Sequence, residues 1–406
     1  MLTDTSKKFI HITNTIVKPV YKTPPTKFTQ NAVKMYKMLF NRIAYANELW
    51  EVNKRTITYT DKSIVNIDTT LYPGEIKNII ETQIHEYSKL TFNVGERSII
   101  MYVSHEYNTN IDDIIKHTYM WLTIASFYAK GKCSQSLNIY LSMSIAKKQL
   151  PIEHAGYIDR EHVNTAYTFA CEENNVIHIY RKEEWFKVLI HETFHSFGLD
   201  FSAVDYTSTN KQILDIFNVI ADVRIFESYC EMWAELINNM FIVFFSTKWN
   251  KNIDNWANTC VRKFEVLIYN DQIFSMLQCA KILSHFQMKY SELISRRTPS
   301  AGPSKKYRDN THVLAYYIIK SLLLYNVNDF MEACINMNGF SLNFDKYKNR
   351  IEENMRKYCE MVKIMHDNPN YIAELSNMMS LLTKRVYKRL PKDYQQSLYM
   401  SQHELG

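Results

Sequence analysis

The order of hydrophobic patterns between residues 98 and 198 constrains the fold more than any other feature of the chain. Residues 98–103 are a short apolar run of the kind that forms a buried strand. Residues 112–129 switch to a 3.6-residue period, which predicts a helix, and Lys130-Gly131 closes it. Residues 137–143 return to a strand pattern. Residues 165–170 and 176–180 read as two strands around a turn at Glu173-Asn174-Asn175. A helix then begins near Lys182. Strand, helix, strand, hairpin, helix is an α+β arrangement: a small mixed sheet with helices behind it.

The flanks differ. Residues 9–13 alternate as a short strand would, Pro24-Pro25 marks a turn, and residues 30–52 carry a helical pattern. Residues 53–73 look irregular, and 75–90 predict a second helix. No site chemistry is visible there. After residue 210 the chain is helical: 211–245 as one helix or two joined ones, then 272–290, 313–325, 344–367 and 371–389. A basic, Pro/Gly/Ser-rich loop at 296–308 interrupts this series. The expected organisation is a mixed region at 1–95, a core at 96–250 and a helical domain at 251–406. There is no internal repeat.

With 406 residues, 46% of them hydrophobic, the chain can bury a large core. Heavy use of Tyr, Ile, Asn and Lys fits A/T-rich codons, as in a protist or a large DNA virus. A net charge of +6, with acids nearly as numerous as bases, permits but does not demand an acidic partner. Seven widely spaced cysteines without a Cys-x-x-Cys pair predict free thiols in a reducing compartment. No apolar leader opens the sequence, and the most apolar run, 240–245, is far below the ~20 residues that span a bilayer. The expected location is cytoplasmic, in a host cell or virion if viral.

The chemistry concentrates at His191-Glu192-Thr193-Phe194-His195. On a helix, residues i and i+4 share a face, so both imidazoles reach one Zn²⁺. Glu192 then lies beside the metal without binding it, placed to take a proton from water. Trp185, Val188, Leu189 and Phe194 supply the apolar positions of that helix, and Gly198 can end it in a left-handed conformation. A hydrolytic zinc needs a third protein ligand. Glu231 is the first candidate; Glu235, one turn on, shares its face, so that one of the two could bind the metal and the other orient a ligating histidine. Asp205, Asp200 and Glu227 remain alternatives. Gly198 stands where metzincins place a glycine, but their third ligand would fall on Phe201, which cannot bind metal.

His191-Glu192-x-x-His195 followed by Glu231-x-x-x-Glu235 resembles the gluzincin metallopeptidases, thermolysin-like and lethal-factor-like enzymes, over residues 98–245. The resemblance implies a zincin-like core and one zinc ion per chain. It implies His191, His195 and Glu231 as ligands, Glu192 as general base and Glu235 as the orienting acid. It also implies an oxyanion donor near the second helix, for which Tyr206, Arg224 and Tyr229 are candidates. A protein or peptide substrate would add as a strand along Ala166, Tyr167 and Thr168. The rival reading is a catalytically silent structural protein on the same fold. The basic loop and Lys384-Arg385-Val386-Tyr387-Lys388-Arg389 read as solvated faces, and the aromatics as scattered, so nucleic acid is disfavoured.

Overall fold

Six strands build one mixed sheet: β1 (Thr58–Ser63), β2 (Tyr87–Val94), β3 (Arg97–Ser104), β4 (Ser136–Ser144), β5 (Ala166–Thr168) and β6 (Asn174–Arg181). The computed structural model describes the whole chain except residues 1, 64, 85, 105–109, 154, 249–252, 295–303, 345–348 and 406. The strand order is β1-β2-β3-β4-β6-β5. β3, β4 and β6 run parallel, while β1, β2 and β5 pair antiparallel with their neighbours. β5 is therefore an antiparallel edge strand.

Register explains the two faces of the sheet. Leu90, Met101, Ile139 and Ile177 form one cross-strand row, and Val103, Leu141 and Ile179 another. All are buried, under the helices Ile111–Ser126 and Trp185–Ser196. Each such side chain contributes roughly 1.5–3 kcal/mol by leaving water. The opposite face carries the row Lys89, Tyr102, Tyr140, His178 and Tyr167. There the rings of Tyr102 and Tyr140 stack at 4.9 Å, Tyr140 and His178 at 4.5 Å, and His178 and Tyr167 at 4.7 Å. The aromatic residues that look scattered in sequence are thus aligned here by strand pairing.

The rest is helical, as the patterns after residue 210 predict. Residues 211–245 resolve into two helices, Thr207–Ile216 and Phe226–Ser246. Residues 272–285 of the helix expected at 272–290 belong to a longer one, Ile253–His285, which ends five residues short of the expected boundary. Three expectations fail. Residues 9–13 lie in a helix, Asp4–Ile12, and its end, because the Thr3 side chain caps its first turn. Residues 58–63, read as irregular, form edge strand β1. The helix expected over 75–90 stops at Gln83, and β2 begins at Tyr87. The expected boundary at residue 95 falls in the β2–β3 turn, and one buried apolar cluster runs from Phe9 to Leu405.

Of the seven cysteines, Cys133 and Cys171 form a disulfide, contrary to the expectation of free thiols, and the other five are buried and free. The bridge ties the loop before β4 to the β5–β6 turn, a proximity that a separation of 38 residues conceals. Among the described residues no helix is long and apolar enough to cross a membrane. Of the basic loop, residues 304–308 are described and 296–303 lie outside the described residues, as do 345–348 of the helix expected from 344.

Residues 398–403 run back into the interior. Leu398 O accepts from Tyr317 Oη at 2.6 Å, and Met400 O from Lys320 Nζ at 2.7 Å. The Glu184 carboxylate accepts the amides of Met400 and Ser401 at 3.1 and 2.7 Å. This segment flanks the start of the Trp185–Ser196 helix.

Candidate metal centre

The His-Glu-x-x-His run is helical, and the helix Trp185–Ser196 is buried along its whole length. Glu184 precedes it at φ 55°, a left-handed conformation that is costly without glycine. The contacts of Glu184 hold it there: Lys148 Nζ at 2.6 Å and the two tail amides. Gly198 ends the helix at φ +64°, as its position predicts, and Leu199 N donates to Phe194 O at 2.8 Å. A Cβ on Gly198 would lie 2.9 Å from Cys133 Sγ, so packing as well as dihedral requires glycine.

The helix Phe226–Ser246 packs antiparallel against it. Two i, i+4 series then interleave across the interface. Lys187 meets Glu231, His191 meets both Glu231 and Glu227, and His195 meets Glu227. Glu227 Oε2 lies 3.0 Å from His191 Nε2 and 3.4 Å from His195 Nε2, and the two Nε2 atoms are 3.1 Å apart. A tetrahedral centre with zinc-like bonds has ligand–ligand edges of about 3.3 Å, so the three donors sit at the spacing one ion requires.

The outer nitrogens of both imidazoles face acids. Asp200 Oδ2 is 2.6 Å from His195 Nδ1. Glu231 Oε1 is 3.1 Å from His191 Nδ1, an ion-pair contact whose angle falls short of a hydrogen bond. Carboxylates in these positions fix the tautomer and aim Nε2 inward. Cys230 Sγ, 3.4 Å from Asp200 Oδ2, completes a neighbouring group with His195 and Asp200. Its pKa is pushed well up by burial, so it stays a thiol and donates to Asp200. Two triads of donors could therefore hold a metal ion: His191, His195 and Glu227, and, sharing His195, Asp200 and Cys230.

The electrostatics point the same way. Burial alone would lower the pKa of His191, yet Glu227 and Glu231 outweigh it and lift the ring to about 9. Burial likewise opposes a proton on His195, and the Asp200 and Glu227 carboxylates overcome it. Against burial, the histidines hold Glu227 far below the ordinary carboxylate range. Acids that pull protons onto buried imidazoles pull equally on a cation. Glu192 differs: burial raises its carboxyl pKa.

Glu192, His191 and Glu231 line a cavity of about 30 Å³ together with Tyr316, Ala166 and Met400, room for a water or two. Tyr316 comes from the π-helical turn Leu314–Ile319, with its ring 6.1 Å from that of His191. Burial, then the Glu227, Glu192 and Glu231 carboxylates, push its phenol well above 10, so it remains a donor.

Several expected residues stand elsewhere. Glu231, expected as third ligand, does not face the convergence point because its Oε2 is 2.6 Å from the buried Lys187 Nζ. Glu227 occupies that position. Glu235, expected to orient a histidine, lies a turn farther on and pairs with Lys320 at 3.1 Å. The acids at the outer nitrogens of the two histidines are Glu231 and Asp200. Asp205 is exposed and accepts the Thr207 amide. Tyr206 stacks edge-on with Phe226 and does not line the cavity. Arg224 pairs with Asp222 at 2.9 Å on the wall of another cleft. Tyr229 is buried and donates to Leu342 O. Ala166 reaches the cavity, whereas Tyr167 faces the aromatic row. Tyr316 was missed, and nothing local to its sequence marks it. The signal for the acids was present: Lys187, one turn before His191 on the same face, needs a carboxylate of its own.

Neither a family model, nor a curated protein, nor a solved structure matches this chain.

Proposed function

We propose that this chain is a zinc-dependent peptidase with His191, His195 and Glu227 as metal ligands. The observation that carries the reading is the convergence of these three donors at 3.0–3.4 Å, with Glu192 and Tyr316 lining the adjoining cavity. A bound zinc ion supplies positive charge that makes water acidic near neutral pH and polarises a carbonyl. Asp200 and Glu231 keep the imidazoles aimed at the ion. Glu192 takes the proton that the attacking water gives up when its oxygen bonds to the carbonyl carbon. The same proton passes to the amide nitrogen as the C–N bond breaks. The Tyr316 hydroxyl donates to the carbonyl oxygen as charge builds there.

The edge strand β5 supports a polypeptide substrate in particular. Its first residue, Ala166, and Thr165 just before it line the same cavity as Glu192, and among the described residues the strand pairs only with β6. A substrate strand can add to its free side. The antiparallel edge beside a metal-binding helix also agrees with a zincin-like core.

Metal analysis of the wild type and His195→Ala, with a protease assay of Glu192→Gln, tests the proposal. The expected result is one zinc ion per wild-type chain, loss of metal in His195→Ala, and full metal content without proteolysis in Glu192→Gln. A wild type that binds no zinc overturns the proposal. Undiminished proteolysis by Glu192→Gln removes the assigned base. Metal without proteolysis of any peptide favours the silent structural reading.

A further inference from the structure

Beyond the start of β5 lies a second, larger cleft of about 860 Å³, within the range of ligand sites. Residues lining the two cavities are in contact. Thr311, on the large cleft, donates its hydroxyl to Asn164 Oδ1, on the small one, at 2.6 Å. His312, on the large cleft, has its ring 6.3 Å from that of Tyr316.

The large cleft is cationic. Arg160, Arg224, Lys305 and Arg308 line it. Of these only Arg224 has a carboxylate partner among the described residues, Asp222 at 2.9 Å. Arg308 donates to Ala155 O at 3.2 Å and lies over the Tyr157 ring at 5.8 Å, contacts that leave its charge uncompensated. The second acid of the lining, Asp309, is turned onto the amides of Thr311 and Leu314 at 2.7 and 3.1 Å. Net positive charge in a concave site concentrates anions.

The geometry points to this cleft as a subsite for acidic side chains of a polypeptide, on the C-terminal side of the bond cut. The inference rests on the peptidase reading for the position of that bond. A strand added antiparallel to β5 runs from Thr168 toward Ala166, past the cavity of Glu192, and then toward Arg160. Its residues beyond the cut therefore arrive at the cationic lining. A nucleic-acid strand fits less well. Tyr307 is buried, Tyr157 already lies under Arg308, and among the described residues of the cleft there is no row of open rings for bases to stack on.

The test uses full-length, zinc-loaded Glu192→Gln and two fluorescein-labelled synthetic peptides, one bearing a run of glutamates and the other glutamines in the same places. Anisotropy at near-physiological salt is expected to show about tenfold tighter binding of the glutamate peptide. Adding Arg160→Glu, Lys305→Glu and Arg308→Glu, all at exposed positions, should erase that preference while metal content and melting temperature stay unchanged. No preference, or a preference that survives charge reversal, overturns the inference. So does a single-stranded oligonucleotide that binds more tightly with the same dependence on the three cations.

In parallel, wild-type protein digests a pool of proteome-derived peptides, with cut sites read by mass spectrometry. Acidic residues should be enriched after the cut, and charge reversal should remove the enrichment. If the glutamate peptide binds in the cleft but no peptide is cut, the peptidase reading fails and the acidic-peptide site stands. Cutting without acidic enrichment sinks the subsite alone.

Discussion

Glu227 and Glu231 are one helical turn apart, equally buried, and chemically identical, yet the structure gives them opposite tasks. Glutamine at each position separates the two. Glu231 pairs with Lys187 at 2.6 Å, and both side chains are nearly inaccessible. Removing one partner of a buried pair costs about 3–5 kcal/mol, because the other charge stays buried. Glu184 Oε1 remains 3.9 Å from Lys187 Nζ, so the low end, about 3 kcal/mol, is expected for Glu231→Gln in metal-free protein. Glu227 has no such dependent. Its partners are imidazoles that can release a proton, so Glu227→Gln should change metal-free stability by only about 1 kcal/mol. Metal affinity reverses the order. Loss of an orienting carboxylate weakens binding about 10- to 100-fold, and loss of a ligand should weaken it about 1,000-fold or more. Urea unfolding of chelator-treated protein measures the first quantity, and zinc competition against a chromophoric chelator the second. If Glu231→Gln loses more metal than Glu227→Gln, or leaves metal-free stability untouched, the assignment of ligand and orienting acid is wrong.

Three further outcomes follow from named contacts. Tyr316→Phe should lower kcat about 100- to 1,000-fold while metal content and KM hold, as for removal of a transition-state donor; an unchanged kcat in steady-state assays removes Tyr316 from the chemistry. Cys171→Ser opens a 38-residue separation and should lower unfolding stability by up to about 4 kcal/mol, read by denaturant titration of oxidised against variant protein; equal midpoints would show that the bridge does not constrain the unfolded chain. Burial holds His178 at about 4 in the fold against 6.5 when free. The unfolded state then binds more protons between those values, so stability is fully present above about pH 6.5 and falls by up to about 3 kcal/mol as pH drops to about 4. His178→Phe should flatten that part of the stability profile, and a wild-type profile already flat there contradicts the assignment.

What could be read from sequence was what local spacing decides. His191 and His195 need only a helix to share a face, and Gly198 needs only to follow it. The strands β3, β4 and β6 are apolar enough to announce themselves. β1 was hidden because Thr58–Ser63 is polar, an edge strand with few buried positions, and β2 because its pattern runs on from the helix before it. The acids failed for a different reason. Glu227, Glu231 and Glu235 lie on one face at four-residue spacing, so periodicity ranks none above the others. Neighbours remote in sequence decide: Lys187 takes Glu231, Lys320 takes Glu235, and Glu227 is left for the histidines. Tyr316 and the Cys133–Cys171 bridge depend on tertiary proximity alone.

The interleaving of the two helices also dictates how this chain can change over generations. A single-residue deletion inside either helix turns every following side chain by about 100°, which would unseat several of the paired positions together. Substitution is freer than deletion, but only in sets. Lys187 and Glu231 can be exchanged jointly for apolar residues of similar volume at little loss of fold stability, since buried ion pairs are often replaceable in this way, although the exchange also removes the carboxylate beside His191 Nδ1. Glu227 is the cheaper of the two glutamates to lose in fold stability, about 1 kcal/mol, so the proposed metal is what would hold it beside His191 and His195. Diverging descendants should therefore covary at 187 and 231, and lose 227 only together with both histidines.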